Sequence, residues 1–338
     1  MTPQRLARQA AWRLPLLALG ATLGLALGAN YSDSDHLSAA PPAGAPTTPP
    51  ATPDPPAPLP PVVSPPQGPE FPPVVVPELD RALLALQERM QAAIDAYWVT
   101  GNFAVAVTDL QTGQTVSVYG DRQQVAGCIW NLPVIIRTLQ DVQAGRYPLS
   151  DVEATIRQTL WASDASAARR LYEKAGDGDH ALGVQRVLDM ARGLGLRHSI
   201  IDHPPAFPEY SLGISEPNLF TADEVNVLLA ALYDGELLDA EWTPWLLDAM
   251  TRVKPGLNYL TAYGTGGTVS HKNGFLPNGG SWVDNDAGIV RFERGGRELA
   301  YAITFMSEGV QTKYADIPLG QQLSVMAWEH FDAAYPAE

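Results

Sequence analysis

The stretch Ala126-Gly-Cys-Ile-Trp-Asn-Leu-Pro-Val134 joins a β-rich segment to a helix that we predict over Ile129–Gln143. Three-residue spacing places Cys128 and Asn131 on one face at the start of that helix. Cys128 is the only cysteine in the chain, so it forms no intramolecular disulfide. A helix start favours the ionised thiol, which is a nucleophile, whereas asparagine takes up no proton at ordinary pH. An ionised thiol at Cys128 would therefore have no base beside it at Asn131.

Two later segments carry polar residues, one at the start of a predicted helix and one on a predicted strand. Trp161-Ala-Ser-Asp-Ala165 begins a predicted helix, where Ser163 and Asp164 are also an ordinary N-cap pair. His271-Lys-Asn-Gly-Phe275 lies on a predicted strand. This strand offers a cation, a hydrogen-bond donor and a residue that permits close backbone approach, in the order Lys272, Asn273, Gly274.

Around these segments the hydrophobic pattern changes between helical and strand spacing. A helix from Leu79 to Tyr97 is followed by two strands, a mostly helical middle, three strands and a last helix. This order predicts an α+β fold: a five-stranded antiparallel sheet flanked by terminal helices, with an inserted all-helical subdomain. The predicted strands are Phe103–Asp109, Thr115–Tyr119, Gly267–Lys272, Ala287–Glu293 and Glu298–Phe305. The other predicted helices are Ala165–Lys174, Ala181–Gly193, Ala222–Leu232, Thr243–Thr251 and Leu319–Ala333.

In their order and spacing, the three segments resemble the active-site motifs of the serine β-lactamase and penicillin-binding protein family, and of its class A β-lactamases in particular. Cys128 stands where that family has the serine of Ser-x-x-Lys, and Asn131 stands where it has the lysine. Ser163 and the aspartate after it match Ser-Asp-Asn, but Ala165 replaces the asparagine. The resemblance implies catalytic positions at Cys128 and Ser163, and altered motif positions at Asn131 and Ala165.

The third segment resembles the Lys-Thr-Gly strand that binds the substrate carboxylate in this family. The resemblance implies substrate binding by Lys272, Asn273 and Gly274. Phe275 beside them either fills the cleft or turns into the core. Class A β-lactamases also use a glutamate on an irregular loop to activate the deacylating water. The predicted loop His203–Pro217 contains Glu209 and Glu216, although a surface carboxylate is the more typical interpretation of each.

Two functions remain open at this point. In the first, the protein is a catalytically impaired β-lactamase-like protein, a pseudoenzyme, that binds a peptidoglycan fragment or a β-lactam-like small molecule, or only presents a surface. In the second, it is an active acyl hydrolase with Cys128 as its nucleophile. The missing base at Asn131 favours the first. We expect no cofactor and no metal, because His198 and His203 lie on a predicted loop without metal-binding spacing.

The net charge and the N-terminal segment of the chain indicate its partners and its location. The formal net charge of −15 disfavours nucleic acid as a partner. Residues 1–29 resemble a signal peptide, in which basic residues precede an apolar stretch shorter than the ~20 residues of a membrane-spanning helix. We therefore predict an exported, extracytoplasmic protein that contacts a membrane only if this segment is uncleaved. Residues 30–77 form a predicted proline-rich linker, and residues 78–338 a β-lactamase-like domain.

Overall fold

Five antiparallel strands form the sheet that organises the molecule. They are β1 (Asn102–Asp109), β2 (Thr115–Val118), β5 (Thr268–Asn278), β6 (Ser281–Arg294) and β7 (Arg297–Glu308), and their order in the sheet is β2-β1-β7-β6-β5. The structure, a computed structural model, describes residues 80–254 and 260–335. All of these residues belong to the compact unit Pro73–Glu338. The predicted signal peptide (1–29) and linker (30–77) lie outside the described residues.

Two terminal helices cover one face of the sheet. They are α1 (Arg81–Asp95) and α8 (Ile317–Ala334). In α1 the buried residues recur at helical spacing, as Leu83, Leu86, Met90 and Ile94. They pack with large side chains of the strands, such as Tyr301, whose ring stacks on Phe331 of α8 with 4.3 Å between ring centroids. This face therefore has a core of bulky side chains.

Small strand residues face the opposite core. Ala104, Ala106, Ala300 and Ala302 alternate along β1 and β7 with the bulky residues of the first face, as the two-residue period of a strand requires. The helices on this side are α2 (Asn131–Gln143), α3 (Glu153–Ala162), α4 (Ala165–Ala175), α5 (His180–Gly193), α6 (Ala222–Tyr233) and α7 (Trp242–Met250). Most residues of α2 are buried, so this helix is the centre of the helical part.

The predicted α+β fold with its five-stranded antiparallel sheet is confirmed. The sequence pattern did not predict α3, whose buried residues are only Ile156, Thr159 and Leu160. It also ended β5 at Lys272, whereas this strand continues to Asn278 in an unbroken ladder with β6. Along the described ranges, no helix is long and apolar enough to cross a membrane.

A two-stranded ribbon positions the irregular loop beside α2. It pairs β3 (Gln124–Val125) with β4 (Leu219–Phe220), so the chain just before Cys128 lies against the end of the loop. Asn285 on β6 donates from Nδ2 to the carbonyl oxygen of Val125 at 2.8 Å, which joins the ribbon to the main sheet. The loop itself is irregular, as predicted, apart from a 3₁₀ turn at Pro208–Tyr210.

Candidate functional site

Cys128 lies on a 3₁₀ turn, Gly127–Trp130, that leads directly into α2. The turn packs against β5 so closely that a Cβ atom on Gly274 would lie 2.3 Å from the backbone nitrogen of Cys128. Only glycine permits this approach. The absent side chain at Gly274 therefore makes room for the backbone of Cys128, and the cysteine is held at the edge of the sheet in a partly exposed position.

A cavity of about 290 Å³ opens beside Cys128. It lies between the 3₁₀ turn, the start of α4, the irregular loop and β5. Its lining is mostly apolar and comprises Val125, Gly127, Cys128, Trp130, Ala165, His203, Pro205, Ala206, Pro217, Asn218 and Leu276. The indole Nε1 of Trp130 is buried and has no hydrogen-bond partner among the described residues. Trp130 thus contributes its ring to the lining, while its N–H is enclosed in the protein.

Lys272 and Ser163 meet next to this cavity. The Nζ atom of Lys272 donates to Ser163 Oγ at 2.5 Å and to the backbone carbonyl oxygen of Asn273. Lys272 is completely buried. Burial lowers the pKa of its ammonium group, and the electrostatic effects of Cys128 and Asp286 oppose that shift. The ammonium is therefore enclosed by protein, and Lys272 is absent from the cavity lining.

Ser163 has an unusual backbone conformation. It ends α3 with φ of 52° and ψ of 38°, in the left-handed region that costs a non-glycine residue free energy. Asp164 follows as the N-cap of α4, and its Oδ1 accepts from the backbone nitrogen of Ala167 at 2.7 Å. The Ser-Asp pair thus has both roles considered from the sequence: the aspartate caps the helix, and the serine hydroxyl contacts Lys272.

The two altered motif positions have different surroundings. Asn131 is fully buried at the first residue of α2, and neither its Oδ1 nor its Nδ2 has a hydrogen-bond partner among the described residues. Ala165 is half-buried and lines the cavity. A buried amide with two unpaired atoms is uncommon in folded proteins. No basic side chain stands at either position.

Phe275 lies on the opposite side of β5 from Lys272 and Gly274, as alternation along a strand requires. Its ring stacks on Trp282, with 5.2 Å between ring centroids, and Lys313 Nζ lies 5.2 Å from the same ring. Phe275 therefore leaves the cavity free. Asn273 is buried and faces Asp286 in the ladder between β5 and β6.

Asp202, His203 and Asn218 form the neck of the irregular loop. The sequence pattern assigned no catalytic role to His203. Nδ1 of His203 lies 3.2 Å from Oδ2 of Asp202, and the His203 ring packs edge-on against Trp130 with 5.2 Å between centroids. Asn218 closes the neck: its Oδ1 accepts from the backbone nitrogen of Asp202 at 2.6 Å, and its Nδ2 donates to the carbonyl oxygen of His203 at 2.9 Å. These hydrogen bonds hold His203 in the lining of the cavity that Cys128 also lines.

The two glutamates considered as bases lie elsewhere. Glu209 and Glu216 are exposed, and neither lines the cavity. Across residues 80–254 and 260–335, no group of three or more His, Cys, Asp or Glu side chains could hold a metal ion. The polar residues that line the cavity with Cys128 are therefore His203 and Asn218, and Lys272 and Ser163 meet next to it.

Comparisons with known proteins agree with the fold. A family model described as the beta-lactamase enzyme family matches residues 150–331, a range that begins after the Cys128 turn. The structure of PBP-A has a TM-score of 0.61 at 20% identity and covers 74% of this chain and 97% of its own. A class A beta-lactamase from Bacteroides cellulosilyticus has a TM-score of 0.63 at 18% identity and covers 75% of this chain and 99% of its own.

A beta-lactamase from Chitinophaga pinensis is similar to the same extent, with a TM-score of 0.62 at 18% identity, covering 74% of this chain and 99% of its own. At these identities the likeness extends to the fold. Among curated proteins, none matches the sequence significantly.

Proposed function

This chain belongs to the beta-lactamase enzyme family, and from that premise we propose that it is an exported ligand-binding member with impaired catalysis. It binds a peptidoglycan fragment or a β-lactam-like small molecule in the cavity beside Cys128. Its hydrolysis of β-lactams is much slower than that of family members with an intact Ser-x-x-Lys motif.

The carrying observation is the environment of Asn131. Its buried amide occupies the position where the Ser-x-x-Lys motif has a base, and neither atom of that amide has a described partner. An amide neither accepts nor releases a proton at neutral pH. General acid–base assistance is worth ~10²–10⁴ in rate, so its loss alone reduces turnover severely.

Two further features support weak turnover. Ala165 offers no amide to a ligand where the Ser-Asp-Asn motif does. The exposed Glu209 and Glu216 lie away from the cavity and supply no base for a deacylating water. The first step of an acyl-transfer cycle therefore lacks the base of Ser-x-x-Lys, and the deacylation step lacks the glutamate.

Binding is supported by the cavity itself. It is open beside Cys128, because Phe275 turns away from it, and its mostly apolar lining includes the polar residues His203 and Asn218. A concave apolar site with a few polar groups is the usual form of a small-molecule site. A mutant of PBP-A was solved as an acyl-enzyme complex with penicillin G, which makes β-lactams reasonable probes for this chain.

The extracytoplasmic location rests on the N-terminal sequence. Residues 1–29 have the basic and apolar pattern of an export signal, and the proline-rich segment that follows suits a spacer between an envelope surface and the folded domain. Peptidoglycan fragments are the ligands that such a location offers.

The test measures turnover and binding separately on the purified full chain. We expect nitrocefin hydrolysis at the background rate, and we expect benzylpenicillin or D-alanyl-D-alanine to slow the alkylation of Cys128 by iodoacetamide. Ala165→Asn combined with Asn131→Lys is the matched variant, since it restores both altered motif positions and should increase hydrolysis. Rapid nitrocefin turnover by the unmodified chain would contradict impairment. Full alkylation despite saturating ligand would contradict binding in this cavity.

A further inference from the structure

His203 combines three properties that its sequence position does not reveal. It lines the cavity with Cys128, it is 7% exposed, and its described hydrogen bonds use Nδ1 and backbone atoms but not Nε2. A histidine can act as a general base when a carboxylate binds one of its ring nitrogens and the other ring nitrogen is free to take a proton.

Asp202 determines which ring nitrogen carries the proton. Burial raises the pKa of Asp202, but hydrogen bonds from the Ser211 hydroxyl, the Ile214 N–H and His203 outweigh that effect and leave the pKa below its ordinary value. The carboxylate is therefore ionised at neutral pH, so Nδ1 of His203 is the nitrogen that donates to it. The lone pair of a neutral His203 ring is then on Nε2.

The position of the ring is fixed from several sides. Asn218 binds the backbone of His203 through both atoms of its amide, and Trp130 packs edge-on against the imidazole. Trp130 belongs to the same 3₁₀ turn as Cys128. The irregular loop and the 3₁₀ turn that contains Cys128 are thus in direct contact through the rings of His203 and Trp130.

We propose that His203, oriented by Asp202, is a general base that replaces the missing lysine and lets Cys128 accept an acyl group from a ligand in the cavity. The inference rests on the proposed function only in that the cavity admits a carbonyl ligand. Asp202 acts through His203 and is a positioning residue.

The step balances without any co-reactant. The thiol proton passes from Sγ of Cys128 to Nε2 of His203 as Sγ bonds to the carbonyl carbon. The carbon–oxygen or carbon–nitrogen bond to the leaving group then breaks, and the proton on Nε2 passes to that oxygen or nitrogen. The product is a thioester on Cys128. In a β-lactam the leaving nitrogen stays attached through the opened ring.

The lining indicates which carbonyl compounds fit. Ala165, Pro205, Ala206 and Leu276 surround the site, so a small apolar acyl group on an activated ester or a β-lactam matches it.

The experiment uses p-nitrophenyl acetate, which needs no specific recognition of a wall peptide. Intact-mass spectrometry of the full chain should show one acetyl group, and peptide mapping should place it on Cys128. His203→Gln should slow this acetylation by about 10²-fold or more. His198→Gln is the matched control, because the His198 side chain is 70% exposed and lies outside the cavity lining, and it should acetylate at the unmodified rate.

Chemical rescue separates a base from a structural residue. His203→Gly removes the ring, and added imidazole should restore acetylation in that variant while leaving the unmodified chain unchanged. Circular dichroism and thermal melting identify a variant that fails to fold. The proposal is overturned if the unmodified chain gains no acetyl group on Cys128, if a folded His203→Gln acetylates at the unmodified rate, or if imidazole fails to rescue a folded His203→Gly. None of these results depends on β-lactam turnover, so they are distinguishable from a failure of the proposed function.

Discussion

The loop neck and the first turn of α2 border one cavity, yet their buried asparagines are bonded very differently. Asn218 is 1% exposed and uses its amide to bind the backbone of Asp202 and His203. Asn131 is 0% exposed and has no described partner for either amide atom. Buried amides normally stabilise a fold only when they are paired. The amide of Asn218 therefore stabilises the loop neck, whereas the start of α2 keeps an unpaired polar group at a cost in stability.

Removing the amide of Asn218 should have the largest effect. Asn218→Ala leaves the backbone nitrogens of Asp202 and His203 and the carbonyl oxygen of His203 without this partner inside the protein. Unpaired buried groups cost ~1–3 kcal/mol each, so we expect the free energy of unfolding to fall by about 3 kcal/mol. Urea titration followed by tryptophan fluorescence measures this change. A loss below about 1 kcal/mol would mean that water forms hydrogen bonds with these backbone groups in the variant. The contrast with Asn131 would then disappear.

Lys272, on β5 next to the cavity, provides a pH-dependent test. Its pKa is lowered in the folded state from 10.5, because burial disfavours the ammonium. Between the folded and the unfolded pKa the unfolded chain binds more protons, so stability rises with pH across that interval. Each unit of depression corresponds to about 1.4 kcal/mol. We expect Lys272→Met to be more stable than the unmodified chain near pH 7, and the difference to shrink toward pH 10.

Urea titrations of both chains at several pH values measure this difference, and the tyrosines that titrate in the same range largely cancel between them. A stability difference that stays constant with pH would show that the ammonium carries no burial penalty.

Asn131 should respond in the opposite direction to Asn218. Asn131→Leu replaces an unpaired buried amide by an apolar side chain of similar size, so we expect a gain of about 2 kcal/mol in the free energy of unfolding. Thermal and urea unfolding measure the gain. A destabilised Asn131→Leu variant would show that an internal water or a neighbouring group satisfies this amide in solution.

Ser163 gives the smallest and most local test. Alanine and glycine at this position both remove the acceptor of Lys272, but glycine adopts a φ of 52° without strain. Ser163→Gly should therefore be more stable than Ser163→Ala by about 1 kcal/mol. Ser166, which is exposed in α4, is the control, and there alanine should be the more stable of the two. The same order at both positions would contradict the strain at Ser163.

Local patterns predicted most elements well and a few poorly. The helix over Ala222–Tyr233 and the strand over Asn102–Asp109 were predicted to within a residue at each end, because each has a strong period and a clear cap or turn. α3 was missed because few of its residues are apolar and buried. The end of β5 was missed because Gly274 and Pro277 interrupt a strand pattern, although pairing with β6 continues through both.

The candidate site was predictable in part for the same reason. The motif segments, with Cys128, Ser163 and Lys272, could be found because each is a short run of residues adjacent in sequence. The role proposed for the loop neck could not be found from the sequence, because it depends on the contacts of His203 with Trp130 and Asp202. An Asp-His pair before two prolines is the sole local signal, and it does not indicate which surface the imidazole faces.

The sequence alone determined the α+β order, and it predicted that Asn131 leaves the start of α2 without a base. These follow from short-range periodicity and from the chemistry of single side chains. Tertiary structure alone decided that Lys272 is enclosed, that Phe275 leaves the cavity open, and that His203 shares a cavity with Cys128. Each of these depends on which distant segments pack together, and packing is a property of the whole core that no local pattern contains.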